Sequence, residues 1–122
     1  MLEAISHIAL VVKDPARTAA LFGDLFNARA VEREDQEGHL ETFVRLGGVW
    51  IVLVAAAARR PRTGDHIAFR ATPEILASTA ARLQAMGREF IRARCDRALY
   101  FFDYDDHVFE LDCEDLDTEL GR

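Results

Sequence analysis

The chain has 122 residues, half of them apolar and 30% charged, with only three prolines. That suits one compact domain, or two small modules sharing a core, and excludes a large multidomain enzyme and a disordered chain. Against 21 Asp+Glu stand 15 Lys+Arg, a net charge of -6, so no global positive field exists to hold nucleic acid or an anionic membrane.

In chain order, Met1-Leu2-Glu3-Ala4 carries no basic region ahead of a long apolar stretch, and no segment reaches the roughly 18 apolar residues of a membrane span. Cys95 and Cys113 form neither a CxxC pair nor a disulfide framework, so the expected setting is the reducing cytoplasm. Ser6-His7-Ile8-Ala9-Leu10 reads as a strand. Asp14 followed by Pro15 is a helix start, because Asp caps free N–H groups and proline fits the first turn. That helix is predicted to run to Phe26, with Ala19, Phe22, Leu25 and Phe26 on one face and Asn27 as a left-handed stop. Strand-like runs follow at about 29–34, 40–46 and 48–55.

Ala57-Ala58-Arg59-Arg60-Pro61-Arg62-Thr63-Gly64 then breaks the pattern, and the design repeats. Asp65-His66-Ile67-Ala68-Phe69 matches the opening strand, Thr72-Pro73 matches the helix start, and Leu76, Ala80, Leu83 and Met86 form a helix face ending at Gly87. Runs at about 89–94, 97–103 and 107–113 complete the second half, and an acidic tail spans 114–122. Each half reads βαβββ, giving modules at about 1–56 and 64–113 joined by a linker at 57–63, all within one domain. One helix cannot bury both faces of a sheet, so the prediction is an α+β fold: paired modules forming a curved mixed sheet, helices outside and a concave face for the site.

His7 and His66 occupy equivalent places in the two opening strands, and a pair of imidazoles suggests a metal. In His107-Val108-Phe109-Glu110-Leu111-Asp112, alternation groups Val108, Glu110 and Asp112 on one face. Two imidazoles and Glu110 would leave positions open on a divalent ion; the matching strand of the first half, Val49-Trp50-Ile51-Val52, has no carboxylate, so three protein ligands are expected. Against this, a lone strand histidine is usually a hydrogen-bonded core residue and a lone glutamate usually points to water. Glu41, grouped by alternation with Phe43 and Arg45, is a general base if that face lines the cavity and a solvent-facing strand end if it does not. Tyr100 either offers its hydroxyl to a ligand or packs. Arg88, Arg92, Arg94 and Arg97 either hold an anion or form a solvated basic strand. His39 reads as exposed, and His107 as part of a hairpin turn.

Ser6-His7-Ile8-Ala9-Leu10-Val11-Val12-Lys13-Asp14, Leu25-Phe26-Asn27-Ala28, Gly47-Gly48-Val49-Trp50, Asp65 to Phe69, and Leu99-Tyr100-Phe101-Phe102-Asp103 through His107 to Leu111 resemble the vicinal oxygen chelate superfamily of glyoxalases, bleomycin-resistance proteins and dioxygenases. Within it the likeness is to fosfomycin-resistance proteins of the hydrolase type, over nearly the whole chain. The resemblance implies that His7, His66 and Glu110 ligate a divalent metal, normally Mn(II), in a module-exchanged homodimer whose sites draw on both chains. It implies that Glu41 activates water to open an epoxide, and that Tyr100 lies near the phosphonate of the substrate. Arg92, Arg94 and Arg97 are the candidates to hold that anion, because other parts of the family's anion site differ here. Ala98 stands for a serine, Glu119 for an arginine, Asp112 for a histidine, and the 94–97 loop is short. Ala9 stands where thiol-transferase members have threonine, which favours water over glutathione. The competing readings are another enzyme of the superfamily (a dioxygenase, lyase or thiol transferase) and a metal-free drug-binding protein.

Overall fold

The computed structural model describes residues 1–56 and 61–121, so part of the expected linker lies outside the described residues. The chain divides into two compact units, Met1–Arg59 and Arg60–Arg122, and each carries its own four-stranded mixed sheet.

The first unit runs β1 (His7–Val12), α1 (Pro15–Phe26), β2 (Ala30–Glu34), β3 (Leu40–Leu46) and β4 (Val49–Ala55), in the sheet order β1-β4-β3-β2. β1 and β4 are parallel, and the other pairs are antiparallel. α1 starts as its sequence dictates: the Asp14 carboxylate accepts the Arg17 N–H at 3.2 Å, and Pro15 takes a position whose N–H would be unpaired anyway. It stops at Asn27, whose left-handed φ of 54° turns its N–H back onto the Gly23 carbonyl. Gly47 and Gly48 close the β3–β4 hairpin at φ 55° and 78°, a two-residue turn that needs left-handed backbone twice. Leu10, Val12, Leu21, Phe22, Leu25, Val44, Leu46, Ile51 and Leu53 are buried between helix and sheet. Thr18 and Leu21 belong to this helix face, whereas Phe26 is only half-buried.

The second unit repeats the plan with β5 (His66–Arg70), α2 (Pro73–Ala85), β6 (Phe90–Ala93), β7 (Ala98–Phe102) and β8 (Val108–Asp112), in the order β5-β8-β7-β6. A short, exposed α3 (Leu116–Glu119) ends it within the acidic tail. The Thr72 hydroxyl caps α2 by accepting the Ile75 N–H at 3.2 Å. Leu76, Ala80, Leu83, Leu99, Phe101, Phe109 and Leu111 form the core, with the Phe101 and Phe109 rings stacked at 5.3 Å. Met86 does not join them: it follows the last helical residue and is 38% exposed. Thr79 is buried in its stead, its hydroxyl satisfied by the Ile75 carbonyl at 2.7 Å.

Two turns in this unit depart from simple hairpins. Arg94, Cys95 and Asp96, between β6 and β7, take left-handed φ values of 51°, 55° and 63° in succession. Between β7 and β8, the buried Asp103 accepts the N–H groups of Asp105 and His107, each at 2.9 Å.

Candidate metal centre

In the second unit the parallel register sets Ala68 of β5 against Glu110 of β8, and the antiparallel register sets Tyr100 of β7 on its other side. Because side chains alternate along strands, His66, Tyr100, Glu110 and Asp112 share the face opposite the Leu99, Phe101 and Phe109 core. His66 Nε2 lies 3.0 Å from Glu110 Oε1, while Nδ1 lies 2.9 Å from the Gly64 carbonyl. A carbonyl only accepts, so Nδ1 carries the proton, and in the neutral ring Nε2 is left with its lone pair facing the carboxylate. Two acceptors at that separation attract only when a proton or a cation lies between them. Imidazole and carboxylate are donors suited to a divalent first-row ion. The pair therefore fits a metal.

The Glu110 side chain is 5% exposed, and a buried carboxylate requires compensation. Its Oε2 accepts a hydrogen bond from Arg94 Nη2, and that same nitrogen lies 3.2 Å from Asp112 Oδ2. The bond to Glu110 raises the Arg94 guanidinium above its ordinary value against partial desolvation, with smaller support from the charge of Glu110, the Tyr100 hydroxyl and Asp112. Tyr100 stands edge-on to His66 with ring centroids 5.6 Å apart. The other three arginines named from the sequence do not join this group. Arg92 pairs with Leu99 in the ladder, which places it on the core-side face, and it lies 3.7 Å from Asp96. Arg97 turns to the tail, donating from Nε to Glu114 at 2.6 Å. Arg88 donates to the Phe102 carbonyl at 2.9 Å and stacks over Tyr104.

In the first unit His7 stands level with Trp50 on the face that α1 leaves uncovered, its Nδ1 3.0 Å from the Ser6 hydroxyl. This face lines a cavity of about 510 Å³ with Ser6, His7, Arg29, Arg33, Phe43 and Trp50 among its walls. Arg33 lies over Phe43 at 4.9 Å and Arg45 over Trp50 at 5.1 Å. Glu41 shares the face, next along β3 from the Thr42–Leu53 pair, and its Oε1 lies 3.4 Å from Arg33 Nε. Ala9 pairs with Val52, the register counterpart of Ala68 with Glu110, so at the position of Glu110 the first unit carries an aliphatic side chain. Among the described residues no three His, Cys, Asp or Glu side chains gather as one ion site.

Sequence reasoning missed Arg29 and Arg33, because only the three-dimensional face reveals that they line the cavity with His7. It also missed Asp103, which holds His107 Nδ1 at 2.8 Å in a largely buried turn. An Asp followed by His four residues on was the available signal. His39 is exposed as expected, beside Asp35 at 3.2 Å.

The model of the Glyoxalase/Bleomycin resistance protein/Dioxygenase superfamily matches residues 4–111. The fosfomycin resistance protein FosX of Listeria monocytogenes is 34% identical over 130 residues, covering all of this chain and 98% of its own. FosX of Mesorhizobium japonicum is 30% identical, covering all of this chain and 94% of its own. A crystal structure of a FosX mutant from Listeria monocytogenes, complexed with Mn(II) and 1S,2S-dihydroxypropylphosphonic acid, matches with a TM-score of 0.85 at 34% identity, over 98% of this chain and 99% of that one. Oxidase ChaP-H2, at 15% identity and a TM-score of 0.75, shares the fold. With both βαβββ repeats inside the family match and full-length relatives at this identity, the chain belongs to the Glyoxalase/Bleomycin resistance protein/Dioxygenase superfamily.

Proposed function

We propose that the chain is a metal-dependent epoxide hydrolase of the fosfomycin-resistance type, which adds water to fosfomycin to give a diol phosphonate. The observation that carries this reading is His66 Nε2 set 3.0 Å from Glu110 Oε1, with Nδ1 held at the Gly64 carbonyl. The FosX structure that holds Mn(II) with a dihydroxypropylphosphonic acid supports it, because that diol is the hydrated form of an epoxide phosphonate.

In this reading His7, His66 and Glu110 hold a divalent ion, Mn(II), which supplies Lewis acidity toward the oxygen that leaves carbon. Glu41 accepts the proton of the attacking water, and Arg33 orients its carboxylate. Arg29 and Arg33 put positive charge on the cavity wall, and Tyr100 adds a hydroxyl donor, for the phosphonate. Ala9 presents a methyl group to the same face, which favours water over a thiol as the nucleophile. One imidazole in the first unit and an imidazole with a carboxylate in the second support a homodimer in which exchanged modules complete each site. The free thiols Cys95 and Cys113 support a cytoplasmic setting. No described helix is long and apolar enough to cross a membrane.

Phosphorus NMR of fosfomycin with Mn(II)-loaded protein tests the reaction. The diol phosphonate should form without glutathione, and should stop forming once the metal is chelated. No conversion with or without thiol, by protein shown to hold Mn(II), overturns the substrate and directs attention to Ala98 and Glu119.

A further inference from the structure

The two oxygens of Glu110 have different partners: Oε1 faces His66 and Oε2 accepts from Arg94. A carboxylate with both oxygens available can grip a divalent ion through both and fill two of its positions. Here the second oxygen is already engaged. The guanidinium that engages it also lies against Asp112 Oδ2, 3.2 Å from the same Nη2. Its backbone lies in a turn in which Arg94, Cys95 and Asp96 all adopt left-handed φ, an arrangement that neighbouring contacts must stabilise against its cost. The acid is buried and Arg94 is half-exposed, with side-chain exposures of 5% and 47%, so the arginine closes the outer side of the carboxylate.

We propose that Arg94 is a positioning residue that makes Glu110 offer one oxygen to the ion, keeping a further coordination position open for substrate or water. This rests on the metal reading above. Outer partners of metal-bound carboxylates commonly act in this way. Of the arginines named from the sequence as anion holders, Arg94 thus serves Glu110 instead of the phosphonate.

The test is the water-proton relaxation produced per bound Mn(II), measured alongside a binding titration. In Arg94→Met, Glu110 should close on the ion through both oxygens, and the relaxation per bound ion should fall by about one third, as one of roughly three open positions is filled. Arg94→Lys should restore the wild-type value, because a single nitrogen bridges both carboxylates. Asp112→Asn loosens the same contact from its far side and should shift the value in the same direction by less. It keeps the inference testable if Arg94→Met does not fold. A purely structural role would lower the number of ions bound and leave the relaxation of each unchanged. Relaxation per bound ion in Arg94→Met equal to or above wild type overturns the inference. Wild-type protein that binds no Mn(II) overturns the metal reading itself, an outcome the titration separates from the first.

Discussion

At the scale of single residues, the Gly64 carbonyl decides what His66 can do. By accepting from Nδ1 at 2.9 Å it aims the basic nitrogen at Glu110, and this hydrogen bond cannot be read from spacing. His66→Ala or Glu110→Ala should abolish tight Mn(II) binding, measured by the free-ion signal in electron paramagnetic resonance; unchanged affinity would remove either residue from the ligand set. Glu41→Gln should keep the metal and lose turnover by about 10² to 10⁴, the usual contribution of a general base. Wild-type rates in that variant would return Glu41 to a structural part beside Arg33. The sequence pointed to His66, Glu110 and Tyr100, which the structure brings onto one face, because strand alternation alone groups such residues. It could not sort the arginines, because Arg94 reaches Glu110 through a loop whose backbone follows no period.

At the scale of elements, caps and turns were the most legible features. Asp14-Pro15 and Thr72-Pro73 start their helices as their chemistry requires, and Asn27 and Gly87 turn left-handed just past the ends. Thr72→Ala should cost about 1 kcal/mol through the lost bond to the Ile75 N–H, read as a lower thermal midpoint with the Mn(II) affinity unchanged. Met86 was misplaced because the 3.6-residue period continued past the helix end, where the chain leaves the core. The tail turn gives a pH dependence. Glu114 is held below the ordinary carboxylate value first by the hydrogen bond from Arg97 and then by that from Glu119. A carboxyl depressed on folding contributes stability above its unfolded value and loses it as the pH falls through the depressed one. Acidification below about pH 4 should therefore loosen the Arg97–Glu114 contact, with amide protection over Leu116–Glu119 falling in step with the Glu114 titration. Glu119 moves the opposite way, raised chiefly by the hydrogen bond it shares with Glu114. Protection that ignores the Glu114 titration would show that this contact does not hold the turn.

For the whole molecule, the internal repeat was the strongest signal in the sequence, and two sheets of identical strand order answer it. The proposed ligand set was less legible as a set, since His7 lies in the first unit and His66 and Glu110 in the second. Light scattering should give a particle of twice 13.7 kDa; a monomer that still binds Mn(II) with His7 would show that exchange of modules is unnecessary. The repeat also records an asymmetry. Val52 stands opposite Ala9 as Glu110 stands opposite Ala68, so one copy of the repeat carries a carboxylate where the other carries an aliphatic side chain. Val52 is 8% exposed, and the turn after β2, residues 35–39, holds no arginine as the turn after β6 holds Arg94. A carboxylate at the depth of Val52 would therefore need more than one substitution, because a counter-ion and a turn to deliver it would have to be supplied as well.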